Sequence, residues 1–208
     1  MKTIIQNLLA AMLITASLQT HAQGLVYDQQ SATSPATAAT GFDAFYIQTE
    51  PLTQSFIPAL SAIEFVQFQF TDVPNNGTNG ATVYVNLWTG SPNINSATLL
   101  GSTATVYMPN GFGASSVGVT TFDFSTFITL TLGQTYYLQP VVLSGDNPWG
   151  IVVLTNTYPN GQLYGNGSYF QPGADLWFRE GVVSVPEPSA LALVVIGSLL
   201  VTSQLLRS

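Results

Sequence analysis

Of 208 residues only 13 are charged, 3 basic and 10 acidic, which is 6% of the chain, against roughly a quarter in an average soluble domain. There is one histidine, His21, and no cysteine. Nucleic-acid binding through phosphate neutralisation needs several Lys or Arg side chains, and the interior offers Arg179 alone. Disulfides, Cys-ligated metals and a cysteine nucleophile are excluded, and a Ser-His-Asp triad has only His21 to draw on.

In chain order, Lys2 precedes an apolar run from Ile4 to Leu18 and a polar, small-residue end at Thr20-His21-Ala22. A basic start, a short apolar core and a small residue at the end have the layout of a secretory signal peptide over 1–22, with Ala22 at the cleavage position. Without its flanks the same run reads as a buried helix or a membrane anchor. Lys2 and His21 leave with such a peptide.

From Gly24 to Val185 nine acids (Asp28, Asp43, Glu50, Glu64, Asp72, Asp123, Asp146, Asp175, Glu180) face Arg179. Solubility therefore rests on Thr, Ser, Asn and Gln, a composition poor for helices and good for strands. Ser31 to Thr40 is Ala/Ser/Thr-rich and reads as a loop or loose strand. In Ser61 to Phe70 the apolar parity changes near Phe65-Val66, as a β-bulge would cause. Val83, Val85 and Leu87 alternate with Thr82, Tyr84 and Asn86, and Phe122, Phe124, Ile128, Leu130 and Leu132 alternate with Thr121, Asp123, Ser125, Thr129 and Thr131. Both patterns describe half-buried antiparallel strands. Tyr136 to Leu143 is apolar on both faces and suits a central strand. Pro109-Asn110-Gly111, Pro159-Asn160-Gly161 and Asn166-Gly167 punctuate the run as turns, the last fitting a two-residue hairpin. The sum is an all-β, antiparallel sandwich of roughly eight to ten strands over residues 24–185.

After Val185 come Pro186-Glu187-Pro188, then an uncharged, mostly apolar run from Ser189 to Leu206, then Arg207. At about 1.5 Å per residue that run spans about 27 Å, enough for a bilayer core. The prolines cannot enter it, and Arg207 places its end on the cytoplasmic side. A terminal helix packed on the domain is the competing reading of the same run. The segment Val185 to Arg207 resembles the PEP-CTERM sorting signal of Gram-negative, exopolysaccharide-producing bacteria. The resemblance implies that residues 186–208 are recognised by an exosortase, a membrane transpeptidase, with Pro186, Glu187 and Pro188 as the motif and helix 189–206 as a temporary anchor. It implies export to the cell envelope, surface or extracellular matrix. The family's terminal arginine cluster is reduced here to Arg207.

The middle of the chain is similar to jelly-roll modules that accompany polysaccharide-degrading enzymes. The match runs from Gln54-Ser55-Phe56 through Thr121-Phe122-Asp123-Phe124 and Leu132-Gly133-Gln134-Thr135-Tyr136-Tyr137 to Asp175-Leu176-Trp177-Phe178-Arg179. The resemblance implies a carbohydrate-binding-like role.

Sugar binders stack rings on aromatic faces and bond hydroxyls with Asp, Asn and Gln. Candidate contacts of that type are Asp146, Asn147 and Trp149 in one turn, Tyr158 and Tyr164 near the last hairpin, and Trp88, which shares a strand face with Tyr84. The competing reading is that these aromatics are core residues, as most are in sandwiches. Glycoside hydrolysis needs two facing carboxyls, for which Glu50, Glu64 and Glu180 qualify by residue type only. Arg179 is expected to pair with Asp175 or Glu180. Calcium could be held by oxygen ligands, though no Asp-x-Asp-x-Asp array is present; no other cofactor is indicated. The sequence thus predicts an exported, non-catalytic envelope or matrix protein, with a polysaccharide-binding module as the alternative and a glycosidase as a remote one.

Overall fold

A computed structural model of the protein describes residues 24–35, 43–46, 51–72, 79–114, 118–145, 149–170 and 172–184. The expected signal peptide with Ala22, the Pro186-Glu187-Pro188 motif and helix 189–206 lie outside them, as do Glu50, Asp146 and Asn147. Among the described residues no helix is long and apolar enough to cross a membrane. Two compact units divide the chain, 26–182 and a second made of 1–25 with 183–208. The fold described below is that of the first.

The elements are all strands: β1 (Gly24–Gln30), β2 (Asp43–Tyr46), β3 (Leu52–Phe56), β4 (Ala62–Asp72), β5 (Ala81–Thr89), β6 (Thr98–Ser102), β7 (Val106–Met108), β8 (Gly118–Thr129), β9 (Tyr136–Gly145), β10 (Trp149–Thr155), β11 (Leu163–Gly165), β12 (Ser168–Tyr169), β13 (Ala174–Leu176) and β14 (Phe178–Ser184). They form two antiparallel seven-stranded sheets. The first runs β1-β14-β4-β10-β13, with β8 also on β4 and β2 also on β10. The second runs β12-β11-β3-β9-β5-β6, with β7 also on β5. The fourteen strands among the described residues exceed the eight to ten expected because β2, β7, β11, β12 and β13 have only two to four residues, too few for an alternation to register.

The core lies between the sheets. Val66, Phe68 and Phe70 of β4, Phe122 of β8 and Ile151 of β10 face Val83, Val85 and Leu87 of β5, Leu138 of β9 and Leu52 of β3. Phe68, Phe70 and Phe122 meet edge to face, at centroid distances of 6.2 and 5.8 Å, a geometry their ring quadrupoles favour. The alternation expected for Val83 to Leu87 holds, since all three apolar side chains are fully buried. Tyr136 to Pro140 is buried on both faces and β9 is central. Its pairing with β3 runs from Phe56↔Tyr136 to Gln54↔Leu138 and stops short of Pro140, which has no N–H to give to a neighbour.

The parity change expected in β4 is there: Ile63 and Val66, three residues apart, both lie in the core. The register with β8 shifts between Ile63 and Phe65, where Ile63 faces Ile128 and Phe65 faces Asp123. Residues 124–127 of β8 thus stand against Glu64 alone, so the larger excursion at this irregularity is on β8. That excursion lets Phe124 bridge Thr103, whose amide donates to the Val85 carbonyl at 2.9 Å while its Oγ1 accepts from the Val85 amide at 2.9 Å. Ala104 then donates to the Asp123 carbonyl. One threonine thus ties the two sheets at a corner.

Asn166 and Gly167 have φ of 51° and 77° and join Gly165 to Ser168 across a paired position. These are the two positive φ values of a type I′ turn, whose twist matches the flanking strands.

Candidate functional site

The outer face of the second sheet is where the aromatic and amide side chains gather. Strand alternation that sends Val83, Val85 and Leu87 inward sends Tyr84, Asn86 and Trp88 outward. In register, Trp88 sits opposite Tyr137 and Asn86 opposite Gln139 on β9, and Trp88 opposite Leu99 on β6. Beyond β9, Ser55 faces Tyr137 and Tyr164 faces Thr53. The result is a row that crosses the strands from Tyr164 to Trp88 and Leu99, with Tyr137 buried between them at 9% exposed. From β11 to β5 it covers three strand spacings, roughly 14 Å. Tyr137 and Tyr164 meet edge to face at 5.9 Å.

Beside this row runs a fixed polar lattice. Trp88 Nε1 and Asn86 Nδ2 both donate to Gln139 Oε1, at 2.9 and 3.2 Å, and Ser102 Oγ donates to Asn86 Oδ1 at 2.6 Å. The Trp88 indole is thereby held in one orientation, with its ring half-buried rather than enclosed. Every side chain named here is uncharged.

The row ends at a cleft of about 150 Å³ lined by Pro51, Pro92, Asn93, Ile94, Asn95, Asn166 and Gly167. Two hydrogen bonds anchor it to the row's end: Thr53 Oγ1 donates to the Pro92 carbonyl at 3.3 Å, and the Asn166 amide to the Pro51 carbonyl at 3.2 Å. Within the loop after β5, Asn93 Oδ1 accepts from the Asn95 amide at 3.0 Å. A side chain at Gly167 would meet Asn93 Cβ at 2.6 Å, so glycine sets the width of the cleft on that side.

Of the aromatic candidates, Trp88 and Tyr164 lie on this face and are partly exposed. Trp149 and Tyr158 do not lie there. Trp149 is fully buried, stacked on Phe112 at 6.4 Å and 27°, because β10 aims it between the sheets and the 109–113 turn folds over it. Asp72 fixes that turn by accepting from the Gly111 amide at 2.6 Å. Tyr158 is 6% exposed, its ring edge-on to Phe178 at 5.1 Å. Neither ring offers a face to a sugar, so the two are corrected to core residues. Trp177 is also fully buried. Residues 31–35 cross over it, Ser34 taking its Nε1 hydrogen bond at 3.0 Å.

The carboxylates hold backbone rather than each other's charges. Asp28 accepts from the Ala59 and Leu60 amides at 2.9 Å each. Asp175 accepts from the Tyr158 amide at 2.9 Å, the Thr157 amide at 3.2 Å and Gln54 Nε2 at 3.2 Å. Gln54 spans the two sheets, since its Oε1 takes the Leu176 amide at 2.7 Å. Burial raises the Asp175 carboxyl above its usual range, against the pull of the Tyr158, Gln54 and Thr157 bonds. The Tyr158 hydroxyl donates to Gln29 Oε1 at 2.9 Å, and burial pushes it up to about 12.

Glu180 is fully buried. Burial first, and then the neighbouring Asp28 carboxylate, push it up to about 9, so at neutral pH it holds its proton. Glu64 is partly exposed on β4. The expected ion pair of Arg179 with Asp175 or Glu180 is not the arrangement found. Alternation turns Glu180 to the opposite face from Arg179, and Asp175 is committed to the 157–158 amides. Arg179 lies instead between the rings of Trp177 and Tyr27, at 4.8 and 5.2 Å, and its Nε donates to the Ala32 carbonyl at 3.0 Å. The stacking is a cation–π arrangement.

The polar belt of Gln54, Asp175, Tyr158, Gln29 and Asp28 has no signature in sequence, because Gln54 occupies an inward position of an ordinary alternating strand. An acid between Ala174 and Leu176 is the one available signal. Among the described residues no group of three or more His, Asp or Glu side chains is placed to hold a metal ion. In comparisons with known proteins, no family model and no curated protein matches this chain.

Proposed function

We propose that the chain is an exported, non-catalytic, jelly-roll-like β-sandwich protein of the cell envelope or extracellular matrix, sorted by an exosortase through Pro186-Glu187-Pro188. The observation that carries this reading is the order Val185-Pro186-Glu187-Pro188-Ser189, an uncharged apolar run and Arg207, directly after an all-β unit. The use of Asp28, Asp72 and Asp175 as backbone acceptors supports the non-catalytic half. The test is fractionation and intact mass of the protein from an exosortase-bearing host, beside a variant lacking residues 186–208. The full chain should reach the envelope and lose mass at both ends. Identical fractionation of the two chains, with no C-terminal mass loss in the first, would refute the reading.

A second reading, polysaccharide binding, is favoured by the partly exposed rings of Trp88 and Tyr164 on one sheet face. Retention on insoluble polysaccharides should fall with Trp88→Ala and be unchanged in Trp149→Phe. Absence of retention on a broad panel counts against it.

A further inference from the structure

The geometry points to the cleft between the loop after β5 and the Asn166-Gly167 turn as a subsite for one uncharged sugar ring, at the end of a neutral glycan chain that continues past Tyr164 towards Trp88. The inference rests on the polysaccharide-binding reading and adds to it an end position and a charge class.

Three observations converge on it. First, the cleft and the aromatic row are continuous: Tyr164 and Asn166 are two residues apart on β11 and its turn, and Thr53, paired with Tyr164, bonds to the cleft wall at Pro92. Second, the lining chemistry is that of a polyol. Three asparagines line an open cleft of about 150 Å³, together with Pro51, Pro92, Ile94 and Gly167. Amides both donate and accept, as vicinal hydroxyls do, and the proline and isoleucine surfaces suit the C–H face of a ring. The volume is below the roughly 300 Å³ at which sites for drug-sized ligands begin, a size suited to a single ring.

Third, the electrostatics select against an acidic glycan. Neither the cleft nor the row contains a charged side chain. The only cation of unit 26–182, Arg179, is on the other sheet and held between two rings. A uronate or sulfate in the cleft would lose water without gaining a counter-charge, in a unit of net negative charge. The walls are also fixed beforehand. The Asn93–Asn95 bond shapes one side, and the paired positive φ values of Asn166 and Gly167 shape the other. Little ordering is then left for binding to impose.

The experiment is titration calorimetry on the full purified chain with hexasaccharides of β-1,4-linked glucose and of β-1,4-linked mannose, and with hexagalacturonate as the acidic arm. Asn95→Ala and Asn166→Gly remove lining amides, the second keeping a residue that accepts positive φ; circular dichroism confirms that both are folded. A neutral hexasaccharide should bind at least tenfold more tightly than hexagalacturonate. Each cleft variant should weaken it about fivefold or more, and Trp88→Ala more than tenfold. Cleft variants that bind like the parent chain while Trp88→Ala does not would overturn the subsite and leave the sheet-face reading standing. Hexagalacturonate binding as tightly as the neutral chains would overturn the charge selection. Failure of every oligosaccharide to bind would remove both.

Discussion

Glu180→Gln is the perturbation whose effect the structure specifies most closely. In the folded state the Glu180 carboxyl is enclosed beside Asp28 and titrates near 9, against an ordinary value of 4.5. Between those values the folded protein keeps a proton that the unfolded chain has released, so raising the pH favours unfolding. The contribution of this group is fully present below about 4.5 and is lost as the pH rises through about 9. At about 1.36 kcal/mol per unit, the full displacement corresponds to about 6 kcal/mol, of which about 3 kcal/mol is already lost at pH 7. Against a total stability of roughly 5–15 kcal/mol this is a large share. The substituted amide mimics the protonated side chain, with an N–H facing Asp28 and no charge to release. Urea unfolding followed by far-UV circular dichroism at pH 5, 7 and 9 measures the difference. The parent chain should lose stability steadily across this range while the variant stays nearly flat, and the variant should be the more stable at pH 9. Equal pH slopes in the two chains would refute the argument, because the displaced titration would then belong to another group.

Other perturbations have equally local readouts. Ser31→Ala removes the acceptor of the buried Phe178 amide, 2.9 Å away, and should cost about 1–3 kcal/mol; an unchanged melting temperature would contradict it. Asp175→Asn forces an amide N–H₂ to face either Gln54 Nε2 or the Tyr158 amide, both donors, and should lower the urea midpoint by a similar free energy. Gly90 and Gly167 both have positive φ, but a side chain at Gly90 meets open space and one at Gly167 meets Asn93. Gly90→Ala should therefore cost about 1 kcal/mol, and Gly167→Ala measurably more by differential scanning calorimetry; equal losses would deny the close approach.

How far the sequence leads can be followed residue by residue. Alternation finds β5 and the first half of β8, since one face of each is buried and a period of two then leaves a mark. The Asn166-Gly167 hairpin is legible because two consecutive positive φ values demand that pair of residue types. The irregularity in β4 is legible because it breaks that strand's own alternation, whereas the larger excursion of β8 opposite it leaves no local pattern. Trp149 misleads for a different reason. Its place beside Pro148 reads as a turn, and only the packing of Phe112, a distant residue in chain order, encloses it. The candidate face is half visible: Trp88 and Tyr84 follow from the parity of β5, whereas Tyr137 and Tyr164 join them through strand pairings that no local pattern encodes. For Arg179, proximity in sequence suggests a carboxylate partner, but Asp175 is engaged with backbone amides and Glu180 points to the other face.

The stacking of Arg179 between Trp177 and Tyr27 also bears on how this protein meets proteases. It is the only lysine or arginine between residues 26 and 182, and therefore marks the only peptide bond there that a trypsin-like enzyme recognises. That bond lies in β14, hydrogen-bonded to β4 through the Arg179↔Gln67 position, with residues 31–35 across its outer side. A protease needs an extended, unpaired segment in its cleft, so cutting at Arg179 requires β14 to leave the sheet. For the sandwich, resistance to trypsin is thus a single-site clock for opening, and its rate reads the stability of β14 without any label.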